Sequence, residues 1–419
     1  MMKHTDHGDF ESWRFDPGDE VQIAPPRNEA GYQDYEPEPP VSLDEWDAGD
    51  EPGPIPPRQW LLGDQFCRGF LSSIVSAGGV GKSALRLLQF ISLALGRSLC
   101  SQHIFRRCRV LLVSLEDDCD ELHRRIKAVL DHYSVDRTEL KSWLFCATPR
   151  LAKLAQLNGN IRVVGPLERQ LRDAIKRCKP DIISLDPFIK IHALEENDSG
   201  DMDFVCDLLA KFAIEFNIAV DSPHHVHKGR LTPGDADSGR GSSGIRDAGR
   251  LIYTLATMSE DEAKMLGIAP EKRTSYVRLD SAKVNIAPRS AKPTWFRLVG
   301  VQIGNGTPEY PAGDTVQVVK PWTPPEAWGD LSSALLNQIL DEIEEGLSDK
   351  NRYTDAASAK ERAAWKVVQR FAPHKTEAQA REIIKTWVKN GVLVTFPYMS
   401  PVTRHEVTGL RVEHAKRPS

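Results

Sequence analysis

"SAGGVGKSAL", residues 76–85, stands between an apolar run and a helical one. Gly78, Gly79 and Gly81 let the backbone turn sharply and aim consecutive N–H groups at one point. The preceding "FLSSIV" (70–75) reads as a strand, and "KSALRLLQFISLALG" (82–96) carries apolar residues at helical spacing and stops at Gly96. Strand, glycine turn and helix N-terminus together form an anion cradle, to which the helix dipole adds its positive end. The expected phosphate-binding residues are Ala77, Gly78, Gly79, Val80, Gly81, Lys82, Ser83 and Ala84. Lys82 reaches terminal phosphates as a point charge, and Ser83 offers a hydroxyl to magnesium. Ser76 stands where the phosphate-loop pattern has its first glycine. That position precedes the phosphate-wrapping part, so a small residue is tolerated there if its backbone needs no positive φ.

The same alternation continues outward. "RVLLVSLE" (109–116) reads as a buried strand and "CDELHRRIKAVLDHY" as a charged helix. "LERQLRDAIKRCK" is a helix feeding "PDIISLDP" (180–187), and "DFVCDLLAKFAIEFN" is a helix feeding "IAVDSPHH" (218–225). Near-continuous apolar strands alternating with helices imply an α/β fold, a parallel sheet covered on both faces. "RLIYTLAT", "SYVRLDSAK" and "TWFRLVG" follow without long helices and suggest an antiparallel extension at one edge.

A triphosphate cradle needs partners at the same sheet edge. Asp186 ends "IISLD" and is the expected magnesium carboxylate with Ser83, although an Asp closing a strand is often only a helix cap. Glu116 ends "LLVSLE" and is the favoured base for water. Asp117 and Asp118 compete for that role or cap the next helix. His224 and His225 would stand beside the γ-phosphate, where a neutral imidazole can hydrogen-bond a phosphate oxygen or the attacking water. With His227 they could instead bind metal, but the three are too close in sequence to close a tetrahedral site easily. Arg240 lies in the Gly/Ser-rich "DADSGRGSSGIRDAGR", with Arg246 and Arg250 after it. A loop arginine either solvates or completes a neighbouring subunit's pocket.

Composition bounds the alternatives. The chain has 419 residues, 40% hydrophobic and 27% charged, with a net charge of −5. This is the composition of a soluble globular protein and not of a basic nucleic-acid coat, so any nucleic-acid contact would be local. No apolar run is long enough to span a bilayer, and the polar, acidic N-terminus has no secretory signal, so a cytoplasmic protein is expected. The seven cysteines form no CxxC pair and no zinc pattern, which suits reduced thiols.

Four regions are expected. Residues 1–57, with "EPEPPVSLDEWDAGDEPGPIPP", form an acidic, Pro-rich, disordered tail, in which Trp13, Tyr32, Tyr35 and Trp46 could dock a protein partner. Residues 58–318 form the α/β core, 319–330 a linker and 331–419 a small C-terminal α+β domain. In that last region "LLNQILDEIEEGL" is helical. "TEAQAREIIKTWVKNG" is a helix capped by Thr376 with Gln379 and stopped by Gly391. "VLVTF" and "HEVTGLRV" alternate like a hairpin. The order is winged-helix-like, and a purely structural cap reads the same residues nearly as well. Arg381, Lys385 and Lys389 share one helical face, which suits a phosphate backbone or simple solvation.

Taken in order, "SAGGVGKSAL", "VLLVSLEDD", "IISLDP", "HHVHK" and "RGSSGIRDAGR" resemble the RepA-type hexameric helicase group of RecA-fold P-loop ATPases, found on plasmids and phages. The likeness covers residues 60 to 300 or so. It implies a RecA-like core that binds ATP and Mg2+, with Glu116 as catalytic glutamate and His224 and His225 as phosphate sensors. It implies Arg240 as a finger reaching into the adjacent subunit, and Lys283 in "SAKVN" as a second candidate for contact in trans. The implied activity is ATP hydrolysis in a homo-oligomeric ring, a hexamer, that pulls single-stranded DNA during replication. Loops 189–203 and 226–240 would face the pore, with Lys190, Lys228 and Arg230 as their cations. An ATP-switched DNA-binding regulator and a recombination-mediator ATPase are the competing readings.

Overall fold

The computed structural model describes residues 45–226, 232–235, 249–290, 292–324, 331–356 and 358–417. Residues up to Pro56 form a unit of their own. Its described part, 45–56, is exposed and has no helix or strand; the Gly49 amide donates to the Asp47 carboxylate at 2.7 Å.

From Pro57 onward the chain is organised around one mixed sheet. A short hairpin, β1 (Trp60–Leu62) and β2 (Phe66–Cys67), leads into β3 (Leu71–Ser76) and α1 (Lys82–Leu95). Next come β4 (Val110–Ser114), α2 (Cys119–Tyr133), β5 (Leu144–Ala147), β6 (Ala155–Asn158) and β7 (Ile161–Val164). Then follow α3 (Pro166–Cys178), β8 (Ile182–Asp186), β9 (His192–Ala193), α4 (Ser199–Glu215), β10 (Ala219–Asp221) and β11 (His224–His225). The last part of the sheet is β12 (Leu251–Thr257), β13 (Tyr276–Val284), β14 (Thr294–Gln302) and β15 (Thr315–Pro321), with α5 (Glu260–Leu266) after β12.

Strand order is β15-β14-β13-β12-β3-β10-β8-β4-β5, with β11 paired to the end of β3. From β12 to β5 all pairs are parallel, and β12 to β15 are antiparallel. This is the α/β architecture expected from the alternating pattern, a mostly parallel sheet with helices, and it is consistent with the RecA-like core that the resemblance implies. The parallel strands are apolar on both sides because each feeds two cores. In β4, Val110 and Leu112 join the core under α1 and α2, while Leu111 and Val113 join the core under α3 and α4. Ile182 and Ile183 of β8 divide in the same way, as do Ala219 and Val220 of β10.

The antiparallel extension curls over the face that carries α1 and α2. Val318 and Val319 of β15 are buried in that core, and the Tyr133 hydroxyl donates to the Val319 carbonyl at 2.9 Å. β15 therefore continues through Pro321, beyond residue 318 where the sequence reading ended the core and began a linker. Two buried valines, not the prolines beyond them, set that boundary. Residues 325–330 of the expected linker lie outside the described residues.

A separate core holds the C-terminal region, α6 (Ser333–Glu345), α7 (Trp365–Phe371), α8 (Glu377–Lys389) and the hairpin β16 (Leu393–Met399) with β17 (Glu406–Val412). α8 begins with a full capping box: the Gln379 amide donates to Thr376 Oγ1 at 3.2 Å, and the Thr376 amide to Gln379 Oε1 at 2.9 Å. Helices then hairpin is the order expected of a winged domain. Residues 1–44, most of the expected tail, lie outside the described residues.

Candidate phosphate-binding site

Parallel pairing puts the C-terminal ends of β3, β4, β8 and β10 along one edge, and the loops that leave it enclose a cavity of about 610 Å³. The phosphate loop supplies its floor. Gly79 and Gly81 have φ of 77° and 94°, the left-handed region that glycine tolerates. Gly81 has a second reason to lack a side chain: a Cβ there would lie 2.8 Å from Leu298 Cδ2 of β14. Ser76 is the last residue of β3, buried and paired with His225. Its carbonyl accepts the Val226 amide at 3.0 Å, and its hydroxyl donates to the Ala77 carbonyl at 2.9 Å. It is strand and not cradle, so the missing glycine costs the loop nothing.

Lys82 and Ser83 open α1 and line the cavity. Lys82 is buried, and its Nζ has no hydrogen-bond partner among the described residues. Burial pushes its pKa down to about 8, against the upward pull of Asp186 and Glu116. Across the cavity Asp186 closes β8, and its Oδ1 is likewise buried without a hydrogen-bond partner among the described residues. Two orphaned buried groups of opposite charge beside a loop of free amides fit a ligand carrying both phosphate and a divalent cation.

The three acidic residues after β4 part ways. β4 ends at Ser114 rather than at Glu116, and its last ladder bond to β8 runs from the Leu115 amide to the Asp186 carbonyl at 2.9 Å. Asp118 caps α2, accepting the Glu121 amide at 2.8 Å. Asp117 is held by Arg125 at 3.1 Å, and partial burial lifts its pKa. Glu116 projects into the cavity, and no hydrogen bond or ion pair engages its carboxylate among the described residues.

Of the two histidines expected beside the phosphate, His225 lines the cavity. Burial, then the charge of Lys82, push its pKa down, so the ring is neutral at physiological pH. His224 points the other way and packs edge-on to Phe188 at 5.6 Å. Consecutive residues of a strand face opposite sides, so one sequence pair serves two surfaces. Arg240, Arg246, His227, Lys228 and Arg230 lie outside the described residues. Lys283 sits on β13 opposite Ile252, and Arg250 directly precedes β12. The 189–203 segment is not a plain loop: it contains β9 and the first turn of α4, capped by Asp198. Lys190 lies within it, its carbonyl accepting Lys153 Nζ at 2.6 Å.

Residues 37–230 match the family model of an AAA domain. This part of the chain is similar to the ATPase domains of that family. The match covers the loop, Glu116, Asp186 and both histidines, and it ends before β12. The cavity also has features that the sequence does not announce. Asp314, Thr315, Val316 and Gln317, at the start of β15, form the far wall of the cavity, and Asp314 meets Arg124 of α2 at 3.3 Å. Their only sequence signal was the alternation of "TVQVV". Behind the loop, Arg86 of α1 meets Asp221 of β10 in the core. A charged residue on an apolar helical stripe was the signal for that pair. Among the described residues, no helix is long and apolar enough to cross a membrane.

Proposed function

We propose that the protein is a ring-forming ATP-driven motor that acts on single-stranded DNA, a replicative helicase of the RepA type. The observation that carries this reading is the gathering of Lys82, Glu116, Asp186 and His225 around one glycine loop. The backbone amides of 77–84 and Lys82 would hold the triphosphate, and Ser83 with Asp186 would hold Mg2+. Held there, the ion would supply neutralisation of the triphosphate's charge. Glu116 orients the attacking water and takes its proton. His225 donates to a phosphate oxygen or the water while the γ-phosphate is present.

The cations favour a partner subunit. Among the described residues lining the cavity, Arg124 is drawn to Glu121 and Asp314, and Arg125 to Asp117 and Glu121. Lys82 is left to face the phosphates, and a second cation at the γ-phosphoryl would come from Arg240 of an adjacent copy. The winged order of the C-terminal helices and hairpin favours a second reading, an ATP-switched DNA-binding regulator. Strand displacement on forked DNA separates the two. A helicase unwinds the fork with Mg-ATP and stops when Lys82 is changed to Ala, whereas a regulator binds the DNA in an ATP-dependent way and leaves the fork intact.

A further inference from the structure

Phe188, two residues past Asp186, touches two histidines from different parts of the fold. Its ring lies edge-on to His224 with centroids 5.6 Å apart, and to His192 at 5.2 Å. All three side chains are buried, at 0%, 3% and 4% exposure for Phe188, His224 and His192. His224 belongs to β11, which pairs with the end of β3 where the phosphate loop begins. His192 belongs to β9, which pairs through Ala155 with β6 in a separate three-stranded sheet, β7-β6-β9. The main chain ties both ends of this column. The Phe188 amide donates to the Pro223 carbonyl at 2.8 Å, and the Leu154 amide to the Ile191 carbonyl at 2.6 Å.

His225 faces the phosphate site, and its neighbour His224 faces Phe188. A shift of β11 that optimises His225 against a γ-phosphate necessarily moves His224 as well, since the two share one peptide. Close-packed rings do not compress, so displacement at one end of the column passes to the other. The small sheet at the far end is a surface element: Ile161 of β7 is 70% exposed, and Arg162 holds Asp198 and Asp201 at the start of α4.

Building on the ATP-binding reading above, we propose that Phe188 and His224 are positioning residues that pass the occupancy of the phosphate site, read by His225, through His192 to the β7-β6-β9 sheet. Phe188 does not line the phosphate cavity. It acts on the reaction cycle by linking two moving parts.

The test is hydrogen exchange of the full-length protein with and without a non-hydrolysable ATP analogue and Mg2+, with the analogue's affinity measured on the same sample. In the unaltered protein the amides of residues 154–157 and 192–194 change exchange rate by about tenfold on binding, the size of a usual coupling between sites. Phe188→Leu keeps the affinity and loses that response, whereas His192→Phe, which preserves a ring contact, retains it. A response that survives in Phe188→Leu, or that is missing from an unaltered protein with the analogue bound, overturns the proposal. Failure to bind the analogue at all overturns the ATP-binding reading itself and the proposal with it. If Phe188→Leu does not fold, His192→Leu breaks the same column at its other end and is read in the same way.

Discussion

Arg86 and Asp221 meet at 2.8 Å in the protein interior, with side-chain exposures of 1% and 0%. Asp221 also accepts hydroxyls from Ser72 and Ser184, so β3, β8 and β10 converge on one carboxylate. Arg86 spends its other hydrogen bonds on Gln65 and Gln89. The pair therefore ties the helix bearing Lys82 to the strand that leads into His224 and His225.

Removing one partner leaves a buried charge uncompensated. Asp221→Asn is expected to cost about 3–5 kcal/mol of stability, read as a lower denaturant midpoint or Tm. The exposed Lys127–Asp131 pair is the control: Asp131→Asn should cost under about 1 kcal/mol. Equal effects of the two changes would mean that the buried pair does not hold the core.

Nucleotide binding should weaken as pH rises past that of Lys82. Burial holds its free-state pKa at about 8, and a bound phosphate favours the charged form, so binding takes up a proton above that value. Affinity is expected to be level below pH 8 and to fall by up to about tenfold per pH unit above it. His225, pushed down in pKa, is already neutral in this window. In the unliganded protein the sign reverses. Between 8 and the ordinary 10.5 the unfolded lysine keeps its proton and the folded one does not, so this group makes stability rise with pH. Calorimetric titration across that range, with Lys82→Arg in parallel, checks the slope.

Glu116→Gln should leave nucleotide affinity within a few fold and lower kcat by about 10²–10⁴, the usual worth of a positioned base. Asp117→Asn should affect stability more than kcat, because its carboxylate serves Arg125. The reverse pattern in steady-state ATPase assays would move the base to Asp117.

Gly81→Ala should abolish nucleotide binding and lower Tm. Its φ of 94° lies in the left-handed region, which costs an L-residue about 1–2 kcal/mol, and the new Cβ would press on Leu298. A Gly81→Ala protein with ordinary affinity for Mg-ATP would place the phosphates elsewhere.

A ring should allow complementation. Lys82→Ala and Arg240→Ala proteins are each expected to be inactive, and their mixture should regain ATPase activity at interfaces that pair an intact Lys82 with an intact Arg240. An arginine finger contributes about 10³–10⁵ in rate, so even a small fraction of mixed interfaces is measurable. Inactivity at every ratio would argue for a site completed within one chain.

The sequence spoke most clearly where local chemistry and fold agree. The strand–glycine–helix run around Lys82 needs no distant partner to be recognised, and Thr376 with Gln379 announces a helix start within four residues. It spoke less clearly where the answer depends on what lies opposite. Nothing local to Asp117 tells that Arg125 will claim it, and nothing local to His224 tells that Phe188 will lie beneath it. β15 was hidden by the prolines that follow it, because its place depends on Tyr133 and on a core nearly two hundred residues upstream.

That late strand bears on where the molecule can be cut. The matched segment ends at residue 230, yet Leu298 rests on Gly81 and Gln317 walls the cavity. A fragment trimmed to the matched segment would bare the apolar side of α1 and α2 to water and leave the glycine loop unsupported from above. The smallest piece able to hold a nucleotide should therefore extend at least through Pro321.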